Sequence, residues 1–149
     1  MKNIAVLGGG PSLEEDLKKI PDDCLLISCN HHAFQFVRAD IMVYMDKPIK
    51  EMLGIIDNPK IRKIVHTQFF PKFRNTGHFG AWVASGMTDG KIYLCGMDLY
   101  QTDVFYENES MVWGGSENKE GEWLDVFKTC GNKSFIAVSG PLTKICAIL

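Results

Sequence analysis

The residues whose types and spacing best suit chemistry come early. Gly8-Gly9-Gly10-Pro11-Ser12 follows a short apolar run, residues 3–7, and precedes Leu13, Leu17 and Ile20 at helical spacing. A buried strand, a glycine turn and a helix start, in that order, make an anion site. Glycine lets the backbone approach a ligand, and the helix start offers N–H groups and partial positive charge. Ser12 and Glu15 have the Ser-x-x-Glu spacing of a capping box, which predicts a helix over residues 12–20. The loop holds the first two glycines of G-x-G-x-x-G but has Leu13 in the third place, and it lacks the Lys-Ser/Thr of a P-loop. A dinucleotide site also wants an acid after the second strand. Asn30 stands there and can bond a sugar or base in both senses, which disfavours nicotinamide cofactors. The plainer alternative is a tight turn with a self-capped helix, in which Glu14, Glu15 and Asp16 serve the helix dipole and repel a phosphate.

Further candidates follow other strands, on the edge where open α/β sheets bind ligands. His31 and His32 come directly after Asn30. One of the two, His31 or His32, is a candidate sugar contact or substitute base, against the plainer reading of an exposed residue at a helix start. Asp46 follows the third strand and can accept a sugar hydroxyl or cap the next helix. Asp98, in Gly96-Met97-Asp98, either fixes its own loop or reaches a ribose. His66 ends a strand on the same edge, and His78 reads as a cap or packing residue. The five cysteines (24, 29, 95, 130 and 146) are odd in number and lack Cys-x-x-Cys spacing, so they read as small buried hydrophobes rather than a metal or disulfide framework. No metal site is expected. Trp82, Trp113 and the phenylalanines at 69, 70 and 73 form no regular stripe and read as packing residues.

The elements that must position these residues alternate. Apolar runs predict strands over residues 3–7, 24–28, 41–45, 62–66, 91–95 and 135–138. Helical spacing predicts helices over 12–20, 49–56, 78–87 and 118–129, with short ones over 31–37 and after Gly140-Pro141. Short apolar strands without polar alternation point to a mainly parallel sheet covered on both faces, a Rossmann-like three-layer α/β domain spanning residues 1–149. Residues 100–116 are polar, aromatic and glycine-rich without periodicity, longer than most connections, and therefore a candidate functional segment. Net charge is −2 with no basic stripe, which argues against a nucleic-acid partner. No basic-then-apolar leader and no run of about 18 apolar residues is visible, so a cytoplasmic protein without a membrane span is expected. Oligomeric state is left open.

Four blocks in order resemble one family: Gly8-Gly9-Gly10-Pro11-Ser12-Leu13, Cys29-Asn30, Ala84-Ser85-Gly86, and the segment from Lys91 through Cys95-Gly96-Met97-Asp98 to Tyr100. Together they resemble the bacterial sialyltransferases of glycosyltransferase family 42. They are also similar to short phage-encoded proteins sharing that nucleotide-binding core, some labelled "norphogenetic". The resemblance runs from residue 3 to about residue 145 and omits the family's long middle insertion. It implies a metal-independent domain that requires no cofactor and takes CMP or a CMP-sugar as ligand. The glycine loop and Asn30 would hold the CMP part, with Asp98 nearby, and Ser85 and Gly86 would lie against the sugar or phosphate. Tyr100 and Tyr106, six residues apart, would stabilise the departing phosphate, a task suited to a phenol that stays protonated at neutral pH. The family's histidine general base falls at Gly114 or Gly115, no histidine follows His78, and Trp82 replaces a basic residue. The expectation is a nucleotide- or nucleotide-sugar-binding domain resembling a glycosyltransferase, with catalysis weak or lost. The alternatives are a non-catalytic nucleotide-binding module and a phage-related assembly or interaction protein.

Overall fold

A computed structural model describes residues 2–98, 104–105, 108–112, 119–131 and 133–149. Seven strands form one parallel sheet in the order β4-β3-β2-β1-β5-β8-β9. They are β1 (Ile4–Leu7), β2 (Leu25–Cys29), β3 (Ile41–Tyr44), β4 (Arg62–Val65), β5 (Lys91–Cys95), β8 (Ser134–Ala137) and β9 (Ala147–Ile148). The helices are α1 (Leu13–Leu17), α2 (Lys50–Ile56), α3 (Thr76–Met87) and α4 (Lys119–Thr129). The expected α/β class and three-layer, Rossmann-like build are what the chain adopts.

Alternation along each strand decides the layers. Ile4 and Val6 of β1 join Ile92 and Leu94 of β5 in a core that includes Phe79 and Val83 of α3 and Trp123 and Val126 of α4. Ala5, Leu7, Tyr93 and Cys95 turn to the other face, against Leu13 and Leu17 of α1. Met42 of β3 packs there with Met52 of α2. Full burial of each large aliphatic side chain contributes about 1.5–3 kcal/mol, so the central strands anchor the sheet. Arg62 and Val65 of edge strand β4 are exposed and add little. Phe70, Phe73 and Trp82 pack around α3 as expected, with Phe70 5.7 Å from Phe79 and Phe73 5.8 Å from Trp82 between ring centroids, whereas Phe69 does not pack and is 87% exposed.

Some expectations need correction. Helix α1 ends at Leu17, and residues 32–35 form a 3-10 turn. Residues 104–105 and 108–112 pair as a separate antiparallel hairpin, β6–β7, inside the segment that lacks periodicity. The turn at Pro141–Lys144 leads into β9, which pairs with β8. Strand order reverses between β1 and β5. Chain progression runs outward from β1 through β4, then resumes at β5 on β1's other side. The carboxyl ends of β1 and β5 therefore flank the crevice where ligands bind in open α/β sheets.

Candidate functional site

The glycine loop closes on the β5 loop through its own backbone. Gly8 N–H donates to Cys95 O at 2.8 Å and Gly10 N–H to Gly96 O at 2.7 Å. A Cβ on Gly8 or Gly10 would stand 2.6 Å from Gly96 O, and one on Gly9 2.6 Å from the His32 ring. Close packing at the switch point thus accounts for all three glycines, Gly8 and Gly10 against the Gly96 backbone and Gly9 against the His32 ring.

Asp98 reaches back to the start of α1. Ser12 N–H donates to Asp98 Oδ2 at 2.6 Å, so a carboxylate of the protein occupies the place a phosphate would take on that helix. Asp98 fixes its own loop, one of the two roles its position suggests. The capping box does not form. Ser12 Oγ donates to Asp16 Oδ2 at 3.0 Å, while Glu15 pairs with Lys18 at 2.8 Å in the open. Asp16 also accepts from Gly96 N–H at 2.9 Å and from Ser139 Oγ at 2.6 Å. This buried acid, 1% exposed, ties α1, the β5 loop and the end of β8 together. Its sequence signal was only one acid among three.

A pocket of about 150 Å³ opens in front of this frame. Gly8 and Gly9 come from the β1 loop, Cys29, Asn30 and His32 from the end of β2, and Asp46 from beyond β3. Gly96 and Met97 follow β5, residues 74–78 bring the start of α3, and Lys119, Glu122 and Trp123 bring the start of α4. Asn30 holds a left-handed backbone, φ 60°, and its carbonyl accepts from Ser28 Oγ at 2.6 Å. Asn75 caps α3 by accepting from His78 N–H at 2.9 Å. Thr76 and Gly77 belong to that first turn, whose N–H groups lack partners inside the helix and carry the positive end of its dipole. Arg74 and Lys119 add cationic charge, while Asp46 and Glu122 add acids.

Two of the pocket's titratable groups are held neutral by burial. Burial pushes the Cys29 thiol up to about 12, which keeps it protonated and unreactive. Burial lowers His78 to about 4, and its ring stands edge-on to Trp123, centroids 4.6 Å apart. At neutral pH His78 is an uncharged imidazole. Among the described residues no three His, Cys, Asp or Glu side chains converge to hold a metal.

Of the residues singled out from sequence, Gly8, Gly9, Asn30 and Asp46 line the pocket. Asp46 does not cap α2, whose N-cap is Ile49. Gly10, Pro11, Ser12 and Asp98 lie behind it, on the α1 side. His31 stacks beside His32, centroids 4.4 Å apart, and His32 is the one that lines the pocket. His66 follows β4 with its Nε2 2.7 Å from Pro71 O, a loop-fixing contact. Ser85 and Gly86 are not brought to the pocket. They sit about 14 Å along α3 from Thr76 at 1.5 Å per residue, and Ser85 Oγ donates to Trp82 O at 2.7 Å. Tyr100 and Tyr106 lie outside the described residues, as do Gly114 and Gly115. The residues missed are Asn75, Thr76 and Gly77, together with Arg74 before them and Glu122 on α4. Asn75 ahead of the apolar-periodic stretch was the signal for a helix start there.

No family model, no curated protein and no solved structure matches this chain.

Proposed function

We propose that this chain binds a nucleotide or nucleotide-sugar, of CMP type by its resemblance to the family 42 sialyltransferases, with transfer weak or lost. The observation that carries the reading is the meeting of the glycine loop, Asn30 and the first turn of α3 in one pocket at the strand-order reversal. The phosphate goes against the start of α3, with Arg74 beside it. The start of α1 is closed to it, because Asp98 already accepts from Ser12 N–H. The backbone of Gly8 and Gly9 lines the space left for the ligand's flat or sugar parts, and Asn30 offers both a donor and an acceptor.

Weak transfer is supported by the histidines. A general base works best with a pKa near the operating pH. His78, at about 4, is a poor one. No histidine follows it in the chain.

The test is thermal denaturation with CMP, UMP, AMP and NAD, each at high concentration. A ligand at 100 times its Kd adds about 2.7 kcal/mol, several degrees for a domain of this size. CMP is expected to raise the melting temperature, and Arg74→Gln is expected to remove most of the gain. If no nucleotide raises it, the reading fails and the fold is better taken as an interaction scaffold. With a CMP-sugar as substrate, Tyr100→Phe together with Tyr106→Phe is expected to lower turnover far more than CMP affinity. Equal losses in both would remove the leaving-group role.

A further inference from the structure

We infer that Glu122 reads a sugar hydroxyl next to the ligand's phosphate and so sets which ligands the pocket accepts. This rests on the nucleotide reading given above.

Glu122 stands in the first turn of α4, and its side chain is 12% exposed. One oxygen, Oε1, lies 3.6 Å from Arg74 Nε, which is ion-pair distance but too long for a hydrogen bond. The other, Oε2, is buried and has no hydrogen-bond partner among the described residues. A buried carboxylate oxygen left unmade is costly, and folded proteins rarely keep one without a use. A ligand that donates to Oε2 removes the cost.

Position and charge narrow the donor. Glu122 lines the pocket and also the adjoining groove of Lys72, Asp125 and Thr129, so it stands where the two meet. It faces the phosphate end, because Arg74 and His78, at the start of α3, line both spaces with it. A carboxylate only accepts and repels a phosphate, so it cannot hold the phosphate itself. Arg74 between them lets an acid sit beside an anion. The groups that flank a nucleotide's phosphate are sugars, ribose on one side and the carried sugar on the other. The base is farther off by the whole ribose. The donor is therefore a hydroxyl, from either sugar.

Binding of CMP, 2′-deoxy-CMP, 3′-deoxy-CMP, UMP and a CMP-sugar to the wild-type chain, Glu122→Met and Glu122→Gln tests this by calorimetry. Loss of a hydrogen bond to a charged acceptor weakens binding by about 10- to 100-fold. The wild type is expected to prefer a hydroxyl-bearing ligand by that factor. Preference for CMP over a deoxy form assigns the ribose. Preference for the CMP-sugar over CMP assigns the carried sugar. Glu122→Met, similar in size but without an acceptor, abolishes the preference, and Glu122→Gln restores part of it. If the wild type binds CMP but hydroxyl removal costs nothing, or the preference survives Glu122→Met, the inference is overturned while the nucleotide reading stands. A change confined to the CMP-to-UMP ratio overturns it too, since Glu122 would then read the base. If the wild type binds none of these ligands, both readings fall. Should Glu122→Met not fold, Glu122→Gln and the wild-type analogue series decide alone.

Discussion

Asp16→Ala is expected to destabilise the fold by about 3 kcal/mol, lowering the melting temperature by roughly 6–12 °C. The acid is 1% exposed and accepts three hydrogen bonds, one of them from the buried N–H of Gly96. Ser12 and Ser139, which supply the other two, are only partly buried and regain water when Asp16 is gone. Gly96 N–H does not, and an unmade buried donor carries the full cost of its lost hydration. Glu15, one position earlier on the same helix, is the control. It pairs with Lys18 between two side chains that are 64% and 68% exposed, and Glu15→Ala is expected to leave the melting temperature unchanged. Thermal and urea denaturation of the two variants beside the wild type measure this. A melting temperature for Asp16→Ala within a degree of wild type would show that the three bonds do not hold the crevice together.

The second large effect is a loss of stability on mild acidification. Burial lowers His78 from its ordinary 6.5 to about 4. Between those values the unfolded chain takes up a proton that the folded chain refuses. Stability therefore rises with pH across that window. The contribution is fully present above about pH 6.5 and is lost as pH falls toward 4, to a total of about 3 kcal/mol. Urea midpoints at pH 7, 5.5 and 4.5 give the slope. His78→Gln, which carries no titrating ring, is expected to flatten it relative to wild type, since the carboxylates titrate in both chains alike. Parallel slopes in the two proteins would mean that the ring titrates as it does in the unfolded chain.

Six strands were legible because each is an apolar run with β-branched or aromatic content, and six parallel strands of the seven needed nothing more. Strand β9 was not, since Ala147 and Ile148 are too few to make a pattern and gain their place only by pairing with β8. The glycine loop was legible as a turn at the working edge. Its partners were not. Asp98 takes Ser12 N–H from 86 residues away, and no local spacing reveals such a contact. The capping-box pattern therefore promised a local bond that a distant acid had already displaced. At α3 the error was one of register. A helix start two residues earlier, at Thr76, moves the pocket to Asn75, Thr76 and Gly77 and leaves Ser85 at the far end. The pairing of Arg74, just before α3, with Glu122 of α4 likewise has no signature in either segment.

The position of β1 at the centre of the sheet bears on how the chain assembles. Ile4 pairs on one side with Leu25, close in sequence, and on the other with Ile92. During synthesis the first four strands can zip together early, because each follows its neighbour. Their inner edge, the unpaired side of the most apolar strand, then waits for β5. Closing so long a loop costs entropy before any contact rewards it, which makes this the slow event. An open edge of that kind invites pairing with other chains. The bonds that seal it, from Gly8 to Cys95, from Gly10 to Gly96 and from Gly96 to Asp16, are the same ones that shape the crevice. The edge that carries the crevice is thus also the seam that waits longest for its partner as the chain is made, so the bonds that shape the crevice serve assembly as well.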